Sequence, residues 1–251
     1  MHRTEIRADI RERILARRGR PFIHEHIEAA RLALVVVDMQ NAFVDPDKPS
    51  AVPEARNIVP NINRLASAVR DAGGSVAWVY TTFTPATLVD WNAFFGGVYS
   101  ETFSRAVIDN LCAGSDGHLL WHELAIADND LRISKDRFSA FLPGACELDT
   151  QLRARQIDTV IISGTVTNVC CESSARDALM RNFNVIMAHD ANAALSDADH
   201  NTSMNAIAQT FGDVMSIDEV IDRLQTDEQA PSETDMLQTG NTRRPFMNSL
   251  D

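Results

Sequence analysis

The chain alternates short apolar runs with longer segments whose apolar residues recur at helical spacing, and this alternation constrains the fold more than any other feature. The apolar runs cover residues 32–37, 75–80, 131–134, 159–163, 185–188 and 214–216. The helical patterns cover residues 55–72, 145–156, 170–182, 197–211 and 217–224. Short β-branched runs without polar alternation are typical of strands buried on both faces. The chain is therefore predicted to form βαβ units, with a mostly parallel sheet covered by helices on both faces.

Residues that can carry chemistry follow three of these runs. Asp38 ends the first run, Lys135 follows the third, and the segment GTVTNVCCESSARDA at 164–178 follows the fourth. Ligands of such sheets bind outside the carboxyl ends of the strands. All three places should therefore converge on one edge of the sheet.

Two adjacent cysteines, Cys170 and Cys171, stand where the helix after the fourth run should begin. Helix N-terminal N–H groups stabilise a thiolate and can hold the oxyanion of a tetrahedral intermediate. A nearby Lys135 would lower the thiol pKa further and Asp38 could take its proton, which is the logic of covalent acyl transfer. Taken singly, each residue could instead have a structural role. Asp38 could cap a helix, Lys135 could simply be solvated, and either cysteine could fill space in the core.

Composition narrows the class of partner. The chain has 251 residues, of which 45% are hydrophobic and 23% charged, as in an ordinary globular protein of one large or two small domains. Its net charge of −12 argues against nucleic acid and anionic membranes as partners. No apolar stretch approaches the roughly 18 residues of a membrane span. A small molecule is the expected partner.

The first twenty residues and the cysteines indicate the compartment. The segment MHRTEIRADIRERILARRGR is rich in arginine but contains Glu5, Asp9 and Glu12 and lacks an apolar core, unlike secretory signals and transit peptides. The four cysteines have no regular spacing and form neither a disulfide framework nor a CxxC metal site. We therefore expect a reducing, cytoplasmic location.

Two further segments stand out. The connection 84–122 is long and holds six aromatic residues, an arrangement that usually covers a pocket or builds an interface. Residues 226–251 are polar without apolar periodicity, as expected of a tail that is disordered alone or ordered by a partner subunit.

Three phrases, ALVVVDMQNAFVDP, ISKDRFSAF and ISGTVTNVCCESSARDA, resemble the signature segments of the isochorismatase-like cysteine hydrolase superfamily. They occur in the family's order and spacing, and the resemblance runs from about residue 33 to residue 224. It implies a three-layer α/β/α fold with a six-stranded, mostly parallel sheet. It also implies a helical extension at 1–30, a hydrolase domain at 31–225 and the polar tail at 226–251.

The resemblance also implies roles for single residues. Amidases of the superfamily use an Asp–Lys–Cys triad to cleave a C–N bond through a thioester, and Asp38, Lys135 and Cys170 match it. The pattern Gly-x-x-Thr-(Asp/Asn)-x-Cys-Val selects Cys170 as nucleophile and leaves Cys171 as packing. The family's cis peptide would fall at Val166–Thr167, and the backbone N–H groups of Val166, Thr167 and Cys170 would form the oxyanion hole.

Differences between this sequence and other branches of the superfamily narrow the range of activities to expect. Nicotinamidases carry a histidine-containing metal site after the second strand, but here YTTFTPATLVDWNAF has no histidine, so neither a metal nor another cofactor is expected. Isochorismatases that hydrolyse a vinyl ether lack the nucleophilic cysteine that is present here as Cys170. The TNVCxES-x-x-RD stretch is most similar to ureidoacrylate amidohydrolases and relatives acting on biuret-type or carbamoyl compounds.

The sequence thus predicts a cysteine amidohydrolase that acts on a small linear amide or a ureido or carbamoyl compound and releases ammonia or an amine. Two alternatives stay open: another amide class, such as maleamate or N-carbamoyl amino acids, and a catalytically idle member that binds a partner. A homodimer or homotetramer is expected. Candidate substrate contacts, which could equally belong to the core or to an interface, are Phe43, Thr81, Phe83, Trp91 and Phe138.

Overall fold

The computed structural model describes residues 1–225, so the predicted tail at 226–251 lies outside the described residues. The strands are β1 Ile27–Glu28, β2 Leu32–Val37, β3 Ser75–Thr81, β4 Leu131–Lys135, β5 Thr159–Thr165, β6 Asn184–Ala193, β7 Asp213–Met215 and β8 Leu224–Gln225. The α-helices are α1 Ala8–Arg18, α2 Asn41–Val44, α3 Val59–Asp71, α4 Thr87–Asp90, α5 Asn92–Phe95, α6 Glu101–Leu111, α7 Leu148–Ala154, α8 Glu172–Met180, α9 Asp197–Ala206 and α10 Ile217–Ile221. Turns of π-helix at Thr167–Cys171 and Ile207–Phe211 precede α8 and follow α9.

The main sheet has six parallel strands in the order β4-β3-β2-β5-β6-β7. A separate parallel pair joins β1 to β8. Because β2 lies between β3 and β5, the carboxyl ends of these three strands meet in the middle of one edge. The strands follow one another through helical crossovers, as the alternation of patterns predicts.

Side chains of β2 alternate between two cores. Leu32, Leu34 and Val36 pack on the face covered by α3 and α10. Ala33, Val35 and Val37 pack on the opposite face, against α7, α8 and the end of α9. All six residues are buried, which is why the run shows no polar alternation. The predicted three-layer α/β/α fold is confirmed.

Element boundaries differ from the predicted ones mainly near the site. Strand β6 extends from Asn184 to Ala193, well past the predicted end at residue 188, because its pairing with β5 shifts register between Ile162 and Gly164. Asn192 Nδ2 stabilises the shift by donating to the carbonyls of Ile162 at 2.9 Å and Ala188 at 2.7 Å. A polar bulge of this kind carries no apolar signal in the sequence.

The N-terminal residues lie across the main body of the protein. Ile10 and Ile14 of α1 are buried against Ala208. Further along, Asp213 accepts hydrogen bonds from the backbone N–H groups of Ile23 and His24 and pairs with Arg18 at 2.9 Å.

Within residues 1–225, every helix is too short or too polar to traverse a lipid bilayer.

Candidate active site

Asp38 occupies a sharp bend at the end of β2. Its φ of 52° lies in the left-handed region, which Asp tolerates better than most residues. Its backbone N–H donates to the Val79 carbonyl at 2.8 Å, and its carbonyl accepts from the Thr165 hydroxyl at 3.0 Å. The bend therefore fixes the carboxylate between β3 and β5, where it is completely buried.

Gly164 allows β5 to approach this bend. Its φ is +106°, and a Cβ atom there would lie 2.1 Å from the carbonyl oxygen of Val37 on β2. No residue with a side chain fits that space without moving the backbone. The glycine of the GTVT turn is thus required by the close contact between β2, which leads into Asp38, and β5, which leads into the turn that holds Cys170.

Lys135 is the last residue of β4, and its side chain is buried. Its Nζ lies 2.8 Å from Asp38 Oδ2, donates to Thr81 Oγ1 at 2.7 Å and lies 3.7 Å from Cys170 Sγ. Thr81 Oγ1 in turn donates to Asp38 Oδ1 at 2.9 Å. Burial alone would lower the pKa of Lys135, but the neighbouring Asp38 carboxylate outweighs it and raises that pKa to about 12.

Cys170 lies in the π-helical turn directly before α8 and is 6% exposed. Burial raises the pKa of its thiol to about 12, although the nearby Lys135 ammonium acts to lower it. The expectation of a depressed thiol pKa is therefore wrong: the loss of solvation exceeds the effect of the helix start and of the ammonium. In the resting protein the nucleophile candidate is a neutral thiol.

Asp38 and the Cys170 thiol share Lys135 as a neighbour. Asp38 Oδ2 has no well-aligned hydrogen-bond donor among the described residues, although the Lys135 ammonium lies beside it. The Cys170 sulfur is linked to this carboxylate through Lys135, whose Nζ lies 2.8 Å from Asp38 Oδ2 and 3.7 Å from Cys170 Sγ. The nearby Asp38 also favours the protonated thiol. Asp38, Lys135 and Cys170 thus form one buried, contacting group.

Cys171 faces away from this group. It is fully buried among apolar side chains of the core between β5 and α8, and its pKa is raised well above the ordinary thiol value by that burial. Its Sγ lies 3.8 Å from the Ser163 carbonyl oxygen. Its surroundings are those of a packing residue.

The cis peptide bond lies one residue earlier than predicted. It joins Thr165 to Val166, whereas the family pattern places it at Val166–Thr167. The Val166 carbonyl accepts from the N–H groups of Val169 at 3.0 Å and Cys171 at 3.2 Å, so the Val166–Thr167 peptide already belongs to the turn. The N–H groups of Val169 and Cys171 are therefore occupied by the Val166 carbonyl. Neither of them is one of the predicted oxyanion donors.

A cavity of about 260 Å³ opens above Cys170. Four of the five predicted substrate contacts line it: Phe43, Thr81, Phe83 and Phe138. Trp91 does not line it and packs behind the wall, with ring centroids 4.6 Å from Phe94 and 4.8 Å from Phe138. The lining residues that sequence reasoning missed as contacts include Tyr99, Phe103, Arg137, Asn168 and Leu195.

The aromatic connection 84–122 builds one wall of this cavity. Tyr99 packs edge to face against both Phe94 and Phe103, and all three rings reach the cavity. Burial, together with the nearby Cys170 sulfur, raises the pKa of the Tyr99 hydroxyl. The expectation that this segment covers a pocket is confirmed by its position.

Arg137 is the single charged side chain among the described residues that line the cavity. Its guanidinium lies 5.0 Å from the centroid of the Trp91 ring. Its Nη1 donates to the Asp136 carbonyl at 2.9 Å and lies 3.3 Å from Asp136 Oδ1, a half-exposed carboxylate beside the cavity. Arg137 lies in the bend directly after β4, and its sequence position does not distinguish it from an ordinary charged loop residue.

Within residues 1–225, no group of three or more His, Cys, Asp or Glu side chains is arranged to hold a metal ion. Another cavity, of about 400 Å³, lies beside α1 and is lined in part by Ile14, His189 and Asp213. None of the three predicted catalytic residues borders it.

A family model for the isochorismatase domain matches residues 32–219. The chain belongs to the isochorismatase family. The resemblance of the three sequence segments is thereby confirmed.

Proteins that are similar to this chain include two amide hydrolases. A ureidoacrylate amidohydrolase of Methylobacterium radiotolerans is 28% identical over 223 residues, which are 84% of this chain and 86% of the relative. An N-carbamoylsarcosine amidase of Arthrobacter is 28% identical over 194 residues, 77% of this chain and 71% of the relative. The crystal structure of a cysteine hydrolase from Pseudomonas syringae pv. phaseolicola has a TM-score of 0.70 and 33% identity, covering 82% of this chain and 97% of that one.

Proposed function

We propose that the chain is a cysteine-dependent amidohydrolase that cleaves a C–N bond of a small ureido or carbamoyl compound through a thioester, releasing ammonia or an amine. The observation that carries this proposal is the buried group of Asp38, Lys135 and Cys170, in which Lys135 Nζ lies 2.8 Å from Asp38 Oδ2 and 3.7 Å from Cys170 Sγ. Of the three, Cys170 lines the cavity. Relatives named for ureidoacrylate and N-carbamoylsarcosine hydrolysis support the amide class.

The first half-reaction forms the thioester. Asp38 accepts the Cys170 proton as the sulfur attacks the amide carbon, so the thiol ionises only when substrate is in place. This order follows from the raised thiol pKa, because a free thiolate is disfavoured in the buried resting site. Backbone N–H groups of Val166, Thr167 and Cys170 hold the oxyanion, Asp38 returns the proton to the departing nitrogen, and the C–N bond breaks.

The second half-reaction restores the enzyme. Asp38 takes a proton from water, the water oxygen attacks the thioester carbon, and the C–S bond breaks. The sulfur then recovers the proton from Asp38. Lys135 stays protonated throughout, because its pKa is about 12, and stabilises the carboxylate and the developing thiolate in turn.

The cavity supports a substrate that carries an anionic group. Its described lining is mostly apolar and aromatic, and Arg137 supplies the one positive charge. A guanidinium in an apolar cavity pairs best with a carboxylate, which it can bind through two parallel hydrogen bonds. We therefore favour a small ureido or carbamoyl acid over a neutral amide. Maleamate and N-carbamoyl amino acids, which are also acidic amides, remain within this class.

A catalytically idle, partner-binding member is the competing function, and one experiment separates the two. The protein is incubated with a panel of ureido acids, biuret and small amides, ammonia release is recorded, and quenched samples are analysed by mass spectrometry. An acyl adduct on the Cys170 peptide, present in Cys171→Val and absent in Cys170→Ala, supports the amidohydrolase. Neither ammonia nor adduct with any compound would favour the binding role.

A homo-oligomer remains part of the proposal. Tyr99 and Leu195 line the cavity while 39% and 63% of their surfaces are exposed, a placement that suits contact with a second copy of the chain. Light scattering on the purified protein gives the molar mass directly. A mass of one chain, 27.7 kDa, at micromolar concentration would refute it.

A further inference from the structure

His200 on α9 connects the catalytic turn to the start of the chain. Its Nδ1 lies 3.1 Å from the hydroxyl of Thr167, the first residue of the turn that carries Cys170. Its Nε2 lies 3.1 Å from the hydroxyl of Thr4. The His200 ring is fully buried, and this burial lowers its pKa to about 3. It is therefore neutral and bridges two hydroxyls that can each donate or accept.

His2 closes the outer side of this bridge. Its ring stacks on the His200 ring with centroids 4.6 Å apart. The backbone N–H of Ala194 donates to His2 Nε2 at 2.9 Å, so His2 must carry its proton on Nδ1, which lies 2.7 Å from Asp197 Oδ1. The ring of His2 is thus fixed at both nitrogens and covers His200.

Two asparagines of α9 hold the rest of the segment. Asn201 donates to the Arg3 carbonyl at 2.8 Å and accepts from the Glu5 N–H at 2.6 Å. Asn205 donates to the Glu5 carbonyl at 2.9 Å and accepts from the Arg7 N–H at 2.9 Å. Both amides bind the backbone on both sides, so residues 1–7 are held in one register along α9.

We propose that residues 1–7 form an N-terminal strap that orients His200, and that His200 is a positioning residue which holds Thr167 and the oxyanion turn in the geometry needed for catalysis. A second contact serves the same turn, since the Ser203 hydroxyl donates to the Thr167 carbonyl at 3.3 Å. The strap lies before residue 32, where the family match begins. The catalytic consequence rests on the proposed amidohydrolase function.

The test uses variants that break the bridge at either end. Thr4→Val removes the outer hydroxyl without changing side-chain shape, and His200→Asn keeps a polar group near Nδ1 but cannot reach Thr4. Each should lower kcat roughly threefold with KM unchanged, and the double variant should be no slower than either single variant, because both break the same bond. His200→Gln, which reaches Thr4 but not Thr167, should lower kcat about tenfold.

Two matched variants serve as controls. Thr4→Ser keeps the hydroxyl that Thr4→Val removes, so its kcat should equal that of the wild type. Thr202→Val makes the same chemical change on the exposed side of α9, where the hydroxyl contacts only the Ala198 carbonyl, and should leave kcat unchanged. Equal kcat in Thr4→Val and the wild type, or additive losses in the double variant, would overturn the proposal.

Hydrogen exchange tests the bridge without turnover, so it remains decisive if no amide is hydrolysed. Amides of the turn Thr167–Cys171 should exchange several-fold faster in Thr4→Val than in Thr4→Ser or Thr202→Val. Faster exchange with no turnover of any amide would keep the strap and reject the proposed amidohydrolase. Unchanged exchange in Thr4→Val would reject the strap even if turnover is found.

Discussion

The Lys135 ammonium lies 2.8 Å from Asp38 Oδ2, and neither side chain is more than 1% exposed. Removing two charges from water costs several kcal/mol each, so a buried pair of this kind contributes little net stability. Its value is chemical, because the Asp38 carboxylate raises the pKa of Lys135 and so keeps it protonated inside an apolar site. The fold thereby keeps a carboxyl group and a cation near a thiol whose own pKa is raised by burial.

Replacing Lys135 with Met should abolish turnover and lower the free energy of unfolding by about 3–5 kcal/mol, because Asp38 is left as an unpaired buried charge. Adding Asp38→Asn removes that charge and should recover most of the stability but none of the activity. Urea unfolding of the two single variants and the double variant measures the coupling. A double variant less stable than Lys135→Met would contradict the pairing.

The two adjacent cysteines should respond differently to the same substitution. Cys170→Ala should reduce turnover to background while the protein stays folded. Cys171→Ala should keep most activity and lose about 1 kcal/mol of stability, since it only empties part of the core. Steady-state kinetics and thermal unfolding of the two variants measure both effects. Activity that survives in Cys170→Ala but not in Cys171→Ala would reverse the assignment.

Stability should fall as the pH rises from 9 to 12. The unfolded Cys170 thiol ionises above its ordinary pKa of 9.0, whereas the folded thiol keeps its proton to about 12. The unfolded state then binds fewer protons, so the free energy of unfolding decreases with pH. Lys135, whose pKa is raised from 10.5 to about 12, acts in the same direction.

The Cys170→Ala variant shows how much of this loss of stability at high pH comes from the Cys170 thiol. Its stability should decline less steeply than that of the wild type between pH 9 and 12, while the two proteins differ by a constant amount between pH 7 and 8. Urea unfolding at single pH steps gives both curves. Parallel curves up to pH 12 would mean that the thiol ionises equally in the folded and unfolded states.

The raised pKa also predicts slow alkylation of Cys170 by iodoacetamide at pH 7, so insensitivity to that reagent does not argue against catalysis.

The sequence predicts much of this architecture because local patterns encode it. The β2 run from Leu32 to Val37 is buried on both faces and appears in the sequence as an unbroken apolar segment. The parallel sheet then brings the strand ends of Asp38 and Lys135 together without any further information. The positions of these residues could therefore be predicted before their contacts were known.

Other features depend on long-range contacts that no local pattern records. The thiol pKa of Cys170 is set by burial, which arises only when α8, β5 and the aromatic wall have packed. The Asn201 and Asn205 amides bind backbone groups almost 200 positions away in the chain, and asparagine in a helix carries no signal of that partner. Arg137 looks like an ordinary charged loop residue until the cavity beside it is formed.

Arg137 should determine the preference for acidic substrates. Replacing it with Met keeps the side-chain length and the contact with Trp91 but removes the charge. A charged hydrogen bond contributes about 1.5–3 kcal/mol, so KM for a ureido acid should rise roughly 10- to 100-fold. KM for the neutral methyl ester of the same compound should stay within about twofold. Arg132→Met removes an arginine from the exposed side of β4 and is the matched control, with no change for either substrate. An equal rise in KM for acid and ester would show that Arg137 shapes the cavity rather than pairing with a carboxylate.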